Sequence, residues 1–97
     1  MPKYVSLLKW TEQGVKNVKD TVKRLREVEE GVEKAGGRIT TILYTQGKFD
    51  LIAVYEWPDD EMANAWFLTL AKAGNVTSTT SRAYTPDEME RIISKMP

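Results

Sequence analysis

The amino-acid sequence predicts an α+β domain in which helices cover one face of a four-stranded antiparallel sheet. Three observations lead to this fold class. Four segments are rich in β-branched and aromatic residues, two longer segments between them repeat apolar residues every three or four positions, and a short glycine-containing link joins the second and third strand segments. Residues 1–97 are predicted to form a single domain, because a chain of this length supports one hydrophobic core.

The first part of the chain predicts a strand and a long helix. Tyr4 to Trp10, with the sequence YVSLLKW, has the composition of a strand, and Gly14 marks a short helical turn after it. Asp20 is the expected cap of the main helix, and the pair Gly36–Gly37 ends it. One face of this helix carries the apolar residues Val18, Val22, Leu25, Val28, Val32 and Ala35.

The middle of the chain predicts a hairpin and a second helix. Arg38 to Thr45 and Phe49 to Trp57 read as strands, and the link that contains Gly47 makes them antiparallel neighbours. Pro58 cannot extend a strand ladder, and the acidic residues after it suit the positive end of a helix dipole. The inward face of this helix is predicted to hold Met62, Ala65, Trp66, Thr69, Leu70 and Ala73, and Gly74 is predicted to end the helix.

The last part of the chain predicts a fourth strand and a terminal helix. Asn75 to Tyr84 is rich in threonine and serine, and its residues Thr77 to Ser81 suit a sheet edge that either pairs with a partner or stays in water. Thr85 and Glu88 form a capping box with a proline at the first helical position. The helix that follows is short and amphipathic.

The order βαββαβ, followed by one helix, is that of the ferredoxin-like fold. We expect right-handed crossovers to place the first and third strands parallel at the centre of the sheet, with the second and fourth strands at its edges.

Both central strands carry large residues on both faces. Since helices cover only one face, the other face needs a second sheet, and this predicts a homodimer or larger homo-oligomer of the dimeric α/β-barrel type. We expect the aromatic-rich face to line the barrel interior; it holds Tyr4, Leu8, Trp10, Phe49, Leu51, Tyr55 and Trp57. The aliphatic face, expected to meet the first helix, holds Val5, Leu7, Ile52 and Val54.

The composition argues against several classes of function. The 14 basic and 14 acidic side chains cancel, so the chain lacks the positive charge of a nucleic-acid-binding protein. Histidine and cysteine are absent, which removes a histidine-based triad, a thiol nucleophile and a His/Cys zinc site. No apolar run is long enough to span a bilayer and no signal-peptide layout is present, so we expect a cytoplasmic protein without membrane partners.

Three segments carry a resemblance to a known family. YVSLLKWTEQGVKNVKD, GKFDLIAVYEWPDDE and NVTSTTSRAYTPDE together resemble the GYD-domain family of small bacterial and archaeal proteins, over nearly the whole chain. The name motif Gly-Tyr-Asp corresponds here to Gly47, Phe49 and Asp50, with Lys48 inserted, so no phenol is required at that place. The resemblance implies a ferredoxin-like, dimeric α/β-barrel fold and brings no established activity and no catalytic residues.

A second resemblance covers only Thr45 to Arg82. This segment looks like the amino-acid-sensing effector domain of leucine-responsive bacterial regulators, which bind small molecules between subunits. The chain has no helix-turn-helix before this segment, so the resemblance implies a stand-alone sensor.

Asp50 and Arg82 are the first candidate site residues. Asp50 either accepts hydrogen bonds at the entrance of the third strand, which we favour, or presents a carboxylate at the mouth of a barrel. Arg82 is expected at the same end of the sheet, as a brace or as a clamp for a ligand carboxylate.

Lys9 and Glu56 are expected to pair at the opposite end of the parallel central strands. The run Asp59 to Glu61 suits dipole capping better than a metal site.

Aromatic residues form the second candidate group. Tyr4, Trp10, Tyr55, Trp57 and Trp66 either pack a small core, which is the commoner role, or line a pocket for a flat ligand. The leading hypothesis is a non-catalytic homo-oligomer that binds a small molecule in the barrel between subunits, without metal or cofactor. The alternatives are a cofactor-independent monooxygenase or isomerase of the dimeric-barrel type, and a stand-alone effector sensor.

Overall fold

The structure, a computed structural model, describes residues 1–97 and contains one four-stranded antiparallel sheet with four α-helices. The elements in chain order are β1 (Lys3–Trp10), α1 (Glu12–Lys16), α2 (Thr21–Lys34), β2 (Arg38–Tyr44), β3 (Leu51–Glu56), α3 (Asp60–Ala73), β4 (Val76–Ala83) and α4 (Pro86–Ser94). One 3₁₀ turn, Val18–Asp20, separates α1 from α2. The predicted α+β class and its ferredoxin-like arrangement are confirmed. No helix combines the length and the apolar character needed to cross a membrane.

The strand order is β2-β3-β1-β4, so β1 and β3 are central as predicted. The expectation that these two strands run parallel was wrong, because Lys3 lies opposite Glu56 and Leu8 lies opposite Leu51 in an antiparallel register. The reason is the connectivity. The crossover through α2 makes β1 and β2 parallel, and the hairpin then reverses the chain so that β3 fits between them.

The helices cover the aromatic face of the sheet. Tyr4, Leu8, Tyr55 and Trp57 are all buried beneath them, and Trp57 is only 1% exposed. The expectation that this face lines a barrel while the aliphatic face meets the helices was therefore wrong. The helices bury small residues in this core, such as the fully buried Val32 and Ala63. Large rings from the strands fill the remaining depth between the layers.

The opposite face of the sheet has no layer above it, and we call it the open face. Its central residues are half-buried, and they lie on neighbouring strands in direct register. They are Val5, Leu7, Ile52 and Val54, joined on β2 by Leu43, which is 57% exposed.

Most of the predicted helix ends are present. Thr85 and Glu88 form the capping box, and Asp59 caps α3 by accepting a hydrogen bond from the backbone N–H of Met62. Gly74 ends α3 with a φ of 81°. Asp20, in contrast, makes no capping hydrogen bond to α2. It closes the 3₁₀ turn with φ −96° and ψ 6°, and this backbone does not aim its carboxylate at the first turn of the helix.

The inward face of α3 differs from the predicted one. Ala63 and Phe67 join the predicted Trp66 and Leu70 in the core. Met62, Ala65 and Thr69 are largely exposed instead. The predicted stripe was therefore rotated toward one side, although its centre was correct.

Candidate functional site

The helix-covered face of the sheet has two ends that differ in their packing. We call one the filled end; it lies around Tyr4 and Trp57, where β1 begins and β3 ends. We call the other the hollow end; it lies around Trp10 and Tyr44, where β1 and β2 end.

Aromatic rings from both layers occupy the filled end. The ring of Trp57 lies 6.0 Å from that of Trp66, and Phe67 contacts the edges or faces of both Tyr4 and Tyr55, with ring centroids 5.8 and 5.5 Å apart. A Cβ atom at Gly37 would lie 2.6 Å from the ring of Trp57. The rings therefore pack closely between the layers at this end, and Trp57 and Trp66 also line a more open groove of about 250 Å³.

Tyr4 and Arg82 brace the filled end. The Tyr4 hydroxyl donates a hydrogen bond to Asp60, and burial together with this carboxylate raises the pKa of Tyr4 to about 12. The guanidinium of Arg82 lies over the rings of Tyr4 and Tyr84, at 5.6 and 4.6 Å, and donates to the backbone carbonyls of Lys3 and Ala83. These contacts tie β4 and α3 to the first strand.

Arg82 and Asp50 lie at opposite ends of the sheet, which corrects the expectation that they share one end. β4 runs antiparallel to β1, so Arg82 is opposite Tyr4 at the filled end. Asp50 lies at the hollow end, where its carboxylate accepts a hydrogen bond of 2.9 Å from the backbone N–H of Trp10.

Asp50 continues the ladder between β1 and β3 beyond its last pair. Its backbone N–H donates to the carbonyl of Leu8, and its carbonyl accepts from Thr45, both at 2.8 Å. Gly47, with a φ of 128°, allows the hairpin to bring Asp50 into this position. Asp50 accepts two of these three hydrogen bonds, with its carboxylate and with its carbonyl, which fits its predicted role as an acceptor at the strand entrance.

The antiparallel register also changes the predicted ion pair. Glu56 lies opposite Lys3, and these two side chains form the ion pair. The hydrogen bond from Lys3 lowers the pKa of Glu56. Lys9, which was expected to pair with Glu56, lies at the hollow end and donates to the backbone carbonyl of Lys48.

The hollow end contains a cavity of about 130 Å³ between the helices and the sheet. Trp10 and Tyr44 stand at this end with ring centroids 6.4 Å apart. Of its 15 lining residues 12 are hydrophobic, so the cavity suits an apolar group. The lining residues are Leu8, Trp10, Thr21, Arg24, Leu25, Val28, Ile39, Ile42, Tyr44, Leu51, Tyr55, Leu70, Ala73, Asn75 and Val76.

Three polar residues, Thr21, Arg24 and Asn75, complete the lining of the cavity. The hydroxyls of Thr21 and Tyr44 are 3.1 Å apart, and this bond links the first turn of α2 to the end of β2. Arg24 and Asn75 also line an adjacent polar cleft, so the cavity and the cleft share a boundary, which we call the mouth. The other cleft residues are Gln13, Asn17, Asp20, Lys23 and Glu27.

Gly14 permits the close approach of α1 to β4 at the mouth. A Cβ atom at this position would lie 2.1 Å from the backbone carbonyl oxygen of Asn75. The N–H of Thr11 donates to that same oxygen, at 3.1 Å. The glycine therefore holds Asn75 where it borders both the cavity and the cleft.

The chemistry of this face favours holding a molecule over proton transfer by a phenolate. Burial raises the pKa of Tyr55, with the hydroxyl of Ser6 opposing it, and the pKa of Tyr4 is raised as well. A phenol that acts as a base at neutral pH needs the opposite shift. An apolar lining offers dispersion contacts to an apolar group, and hydrogen-bond donors at its border are the kind of group that fixes the orientation of a bound molecule.

The predicted site residues divide between the two ends. Trp10 and Tyr55 line the cavity, while Tyr4, Trp57 and Arg82 belong to the filled end.

Sequence reasoning missed the residues of the mouth. Arg24 belongs to a charged run that reads as a solvated helix face. It directly precedes Leu25 and stands four residues before Val28, and both of these residues line the cavity. Its helical spacing from these apolar residues is the signal that places it at the border of the apolar stripe.

A comparison with known families agrees with this architecture. The sequence pattern described as GYD domain matches residues 4–93, from the second residue of β1 to the penultimate residue of α4. No curated protein matches the chain. Since the match spans both central strands, both edges and all the helices, this chain belongs to the GYD domain family.

Proposed function

We propose that this GYD-domain protein is a non-catalytic homodimer that binds one small, mostly apolar molecule in the hollow-end cavity of each subunit. The observation that supports ligand binding is the cavity itself, which combines an apolar lining with three polar residues. We propose that the ligand lies beneath the helices and not between two sheets, and the position of Trp10 and Tyr55 on the helix-covered face supports this.

The volume of the cavity limits the size of the ligand. Pockets for drug-sized molecules usually measure about 300–1,000 Å³, whereas an apolar cavity of roughly 150 Å³ accepts a benzene ring. A cavity of about 130 Å³ therefore suits one aromatic ring or a short branched chain.

The open face supports the homodimer. Four half-buried aliphatic side chains from the two central strands form its centre, with Leu43 beside them. The chain exposes 6833 Å², while a compact protein of its mass exposes about 5,700 Å². The excess of about 1,100 Å² is close to the area that each subunit of a stable homodimer buries. A second copy of the same sheet face is the partner we propose.

Helix α4 supplies a second surface for the partner. It carries exposed apolar residues along its length, among them Met89 at 44% and Ile93 at 56% exposure. The radius of gyration is 14.7 Å, against about 12.5 Å for a compact chain of this length, and the longest dimension is 51 Å. We propose that α4 packs on the other subunit.

Light scattering coupled to size-exclusion chromatography tests the dimer. We expect twice the chain mass of 11.1 kDa for the wild type, and the mass of one chain for Val54→Glu, which places a charge at the centre of the open face. Leu68→Glu is the matched control, because Leu68 is 72% exposed on α3 and lies away from the open face. A wild type that stays at the mass of one chain and remains folded would disprove the dimer.

A thermal-shift screen tests the ligand site, with apolar amino acids, small aromatic acids and neutral aromatic compounds. Val28→Phe fills the cavity from α2, and Val22→Phe makes the same change at a position on that helix that is 49% exposed and outside the lining. We expect hits that raise the melting temperature of the wild type and of Val22→Phe but not of Val28→Phe. Hits that act equally on Val28→Phe would refute the cavity as the site.

A stand-alone sensor of amino-acid-type effectors is the second candidate. The observation in its favour is the mixed charge of the polar cleft, where Asp20 and Glu27 line the same space as Lys23 and Arg24. Such a cleft suits a zwitterion, whose ammonium and carboxylate need partners of both signs. Hits restricted to amino acids in the same screen would favour the sensor.

A further inference from the structure

We infer that the ligand of the hollow end is a small monocarboxylic acid, whose apolar part fills the cavity and whose carboxylate pairs with Arg24. The inference rests on the proposed binding of a small molecule in the cavity and adds its chemical class. It is argued from the charge, the hydrogen bonds and the position of this one arginine.

Arg24 is the sole charged residue among the 15 that line the cavity. It also lines the polar cleft, where its Nη1 donates to the backbone carbonyl of Asn17, so the side chain spans the boundary between the apolar space and the polar space. Asp20 and Glu27 line the cleft but not the cavity. A ligand that fills the cavity therefore meets a positive charge at its outer end.

Most of the N–H donors of the Arg24 guanidinium have no partner within the protein. It makes no ion pair within 4.0 Å, and its one hydrogen bond is from Nη1 to the backbone carbonyl of Asn17, at 2.6 Å. A guanidinium carries five N–H donors in a planar fork, and this fork matches the two oxygens of a carboxylate. The half-buried setting of Arg24 strengthens such a pair, since less water competes for the charge.

The hydroxyl pair at the mouth offers a further donor. Thr21 precedes Arg24 by three residues on α2, so the two side chains point to the same side of the helix. The Thr21 and Tyr44 hydroxyls share one hydrogen bond, and this leaves one O–H of the pair free to donate. A carboxylate at the mouth thus meets both cationic and neutral hydrogen-bond donors. A neutral amide of the same shape forms no ion pair with the guanidinium of Arg24.

Isothermal titration calorimetry with matched acids and amides tests the inference. The probes are benzoate, phenylacetate and 3-methylbutanoate, each compared with its own amide. We expect at least one acid to bind the wild type about tenfold to a hundredfold more tightly than its amide. Arg24→Gln should abolish this preference, and Arg24→Lys, which keeps the charge without the fork, should retain part of it. Arg26→Gln is the control, because Arg26 is exposed on the same helix and lines neither the cavity nor the cleft.

The outcomes separate the two claims. Equal binding of acids and amides, unchanged in Arg24→Gln, would overturn the carboxylate inference and leave the proposed cavity site in place. Binding of none of the six probes to folded wild type and Arg26→Gln would count against the cavity site itself. An acid preference that persists in Arg24→Gln and Arg24→Lys would assign the charge recognition to another residue, which also overturns the inference.

Discussion

The filled end and the hollow end lie on the same sheet face, beneath the same two helices, and both contain aromatic residues. At the filled end α3 contributes Trp66 and Phe67, which meet the rings of the strands. At the hollow end the rings of Trp10 and Tyr44 come from the sheet alone, and the helices contribute aliphatic residues such as Val28 and Ala73. The size of the helix residues thus decides where the space between the layers is closed.

Under the proposed function, this difference separates stability from ligand binding along one sheet. Closely packed rings contribute most where both layers supply them, because each ring removes a large apolar area from water. A cavity forgoes part of that dispersion energy and keeps room for a ligand. We therefore expect substitutions at the filled end to affect mainly the free energy of unfolding, and substitutions at the hollow end to affect mainly binding.

Truncation of one tryptophan at each end gives the largest expected contrast. Trp57→Ala should lower the free energy of unfolding by about 3–5 kcal/mol, because Trp57 is 1% exposed and its neighbours are rigid rings. Trp10→Ala should cost about half as much or less, because Trp10 is half-buried and already borders the cavity. Denaturant titration at one fixed protein concentration measures both losses, since the stability of the proposed dimer would depend on concentration. Equal losses would contradict the division into two ends.

Much of the fold follows from local patterns in the sequence. The capping box at Thr85, the left-handed Gly74 and the glycine-containing hairpin each depend on a few neighbouring residues, and each is present in the structure. The parallel pairing of β1 and β3 was wrong because strand direction depends on how the crossover and the hairpin combine. That is a property of the whole chain and not of any segment.

The cavity was less predictable than the fold. The sequence pointed to Trp10 and Tyr55, and both line the cavity, but it pointed equally to Tyr4 and Trp57, which lie at the filled end. The aromatic content alone cannot separate these two pairs. Tyr55 contacts Phe67 just as Tyr4 does and also lines the cavity, so it lies between the two ends. Which rings border the cavity depends on where the side chains of α3 lie above the sheet, and therefore on the rotation of α3, whose predicted face was off by part of a turn.

The ionisation of Tyr4 at the filled end is expected to change the free energy of unfolding with pH, by an amount smaller than the loss in Trp57→Ala. Its pKa is raised from 10.0 to about 12 in the folded chain, chiefly by burial and then by the hydrogen bond to Asp60. The contribution to stability is therefore complete below about pH 10, where the tyrosine of the unfolded chain keeps its proton, and it is lost as the pH rises toward about 12. We expect the total loss to be about 2 kcal/mol.

Comparison with Tyr4→Phe isolates this effect from other alkaline titrations. The variant loses the hydrogen bond to Asp60 and is less stable at neutral pH by about 1 kcal/mol. Its free energy of unfolding should fall less steeply than that of the wild type above about pH 10. Parallel curves for the two proteins, measured by denaturant titration at several alkaline pH values, would show that Tyr4 has an ordinary pKa and that the filled end does not hold its hydroxyl as described.

The smallest expected effect is also the most direct test of the two ends, because the same methylene is added twice on one helix. Val32 is fully buried near the filled end, and Val28, one turn earlier on α2, lines the cavity. Val32→Ile should lower the free energy of unfolding by about 1 kcal/mol, since a closed core has no space for another carbon. Val28→Ile should leave it unchanged or raise it by about 0.5 kcal/mol, because the added carbon enters a cavity and gains dispersion contacts. The backbone, the helix and the β-branched character are the same in both variants, so their difference reports the local packing alone. If Val28→Ile were as costly as Val32→Ile, the hollow end would be closed in solution, and this would contradict the proposed ligand site.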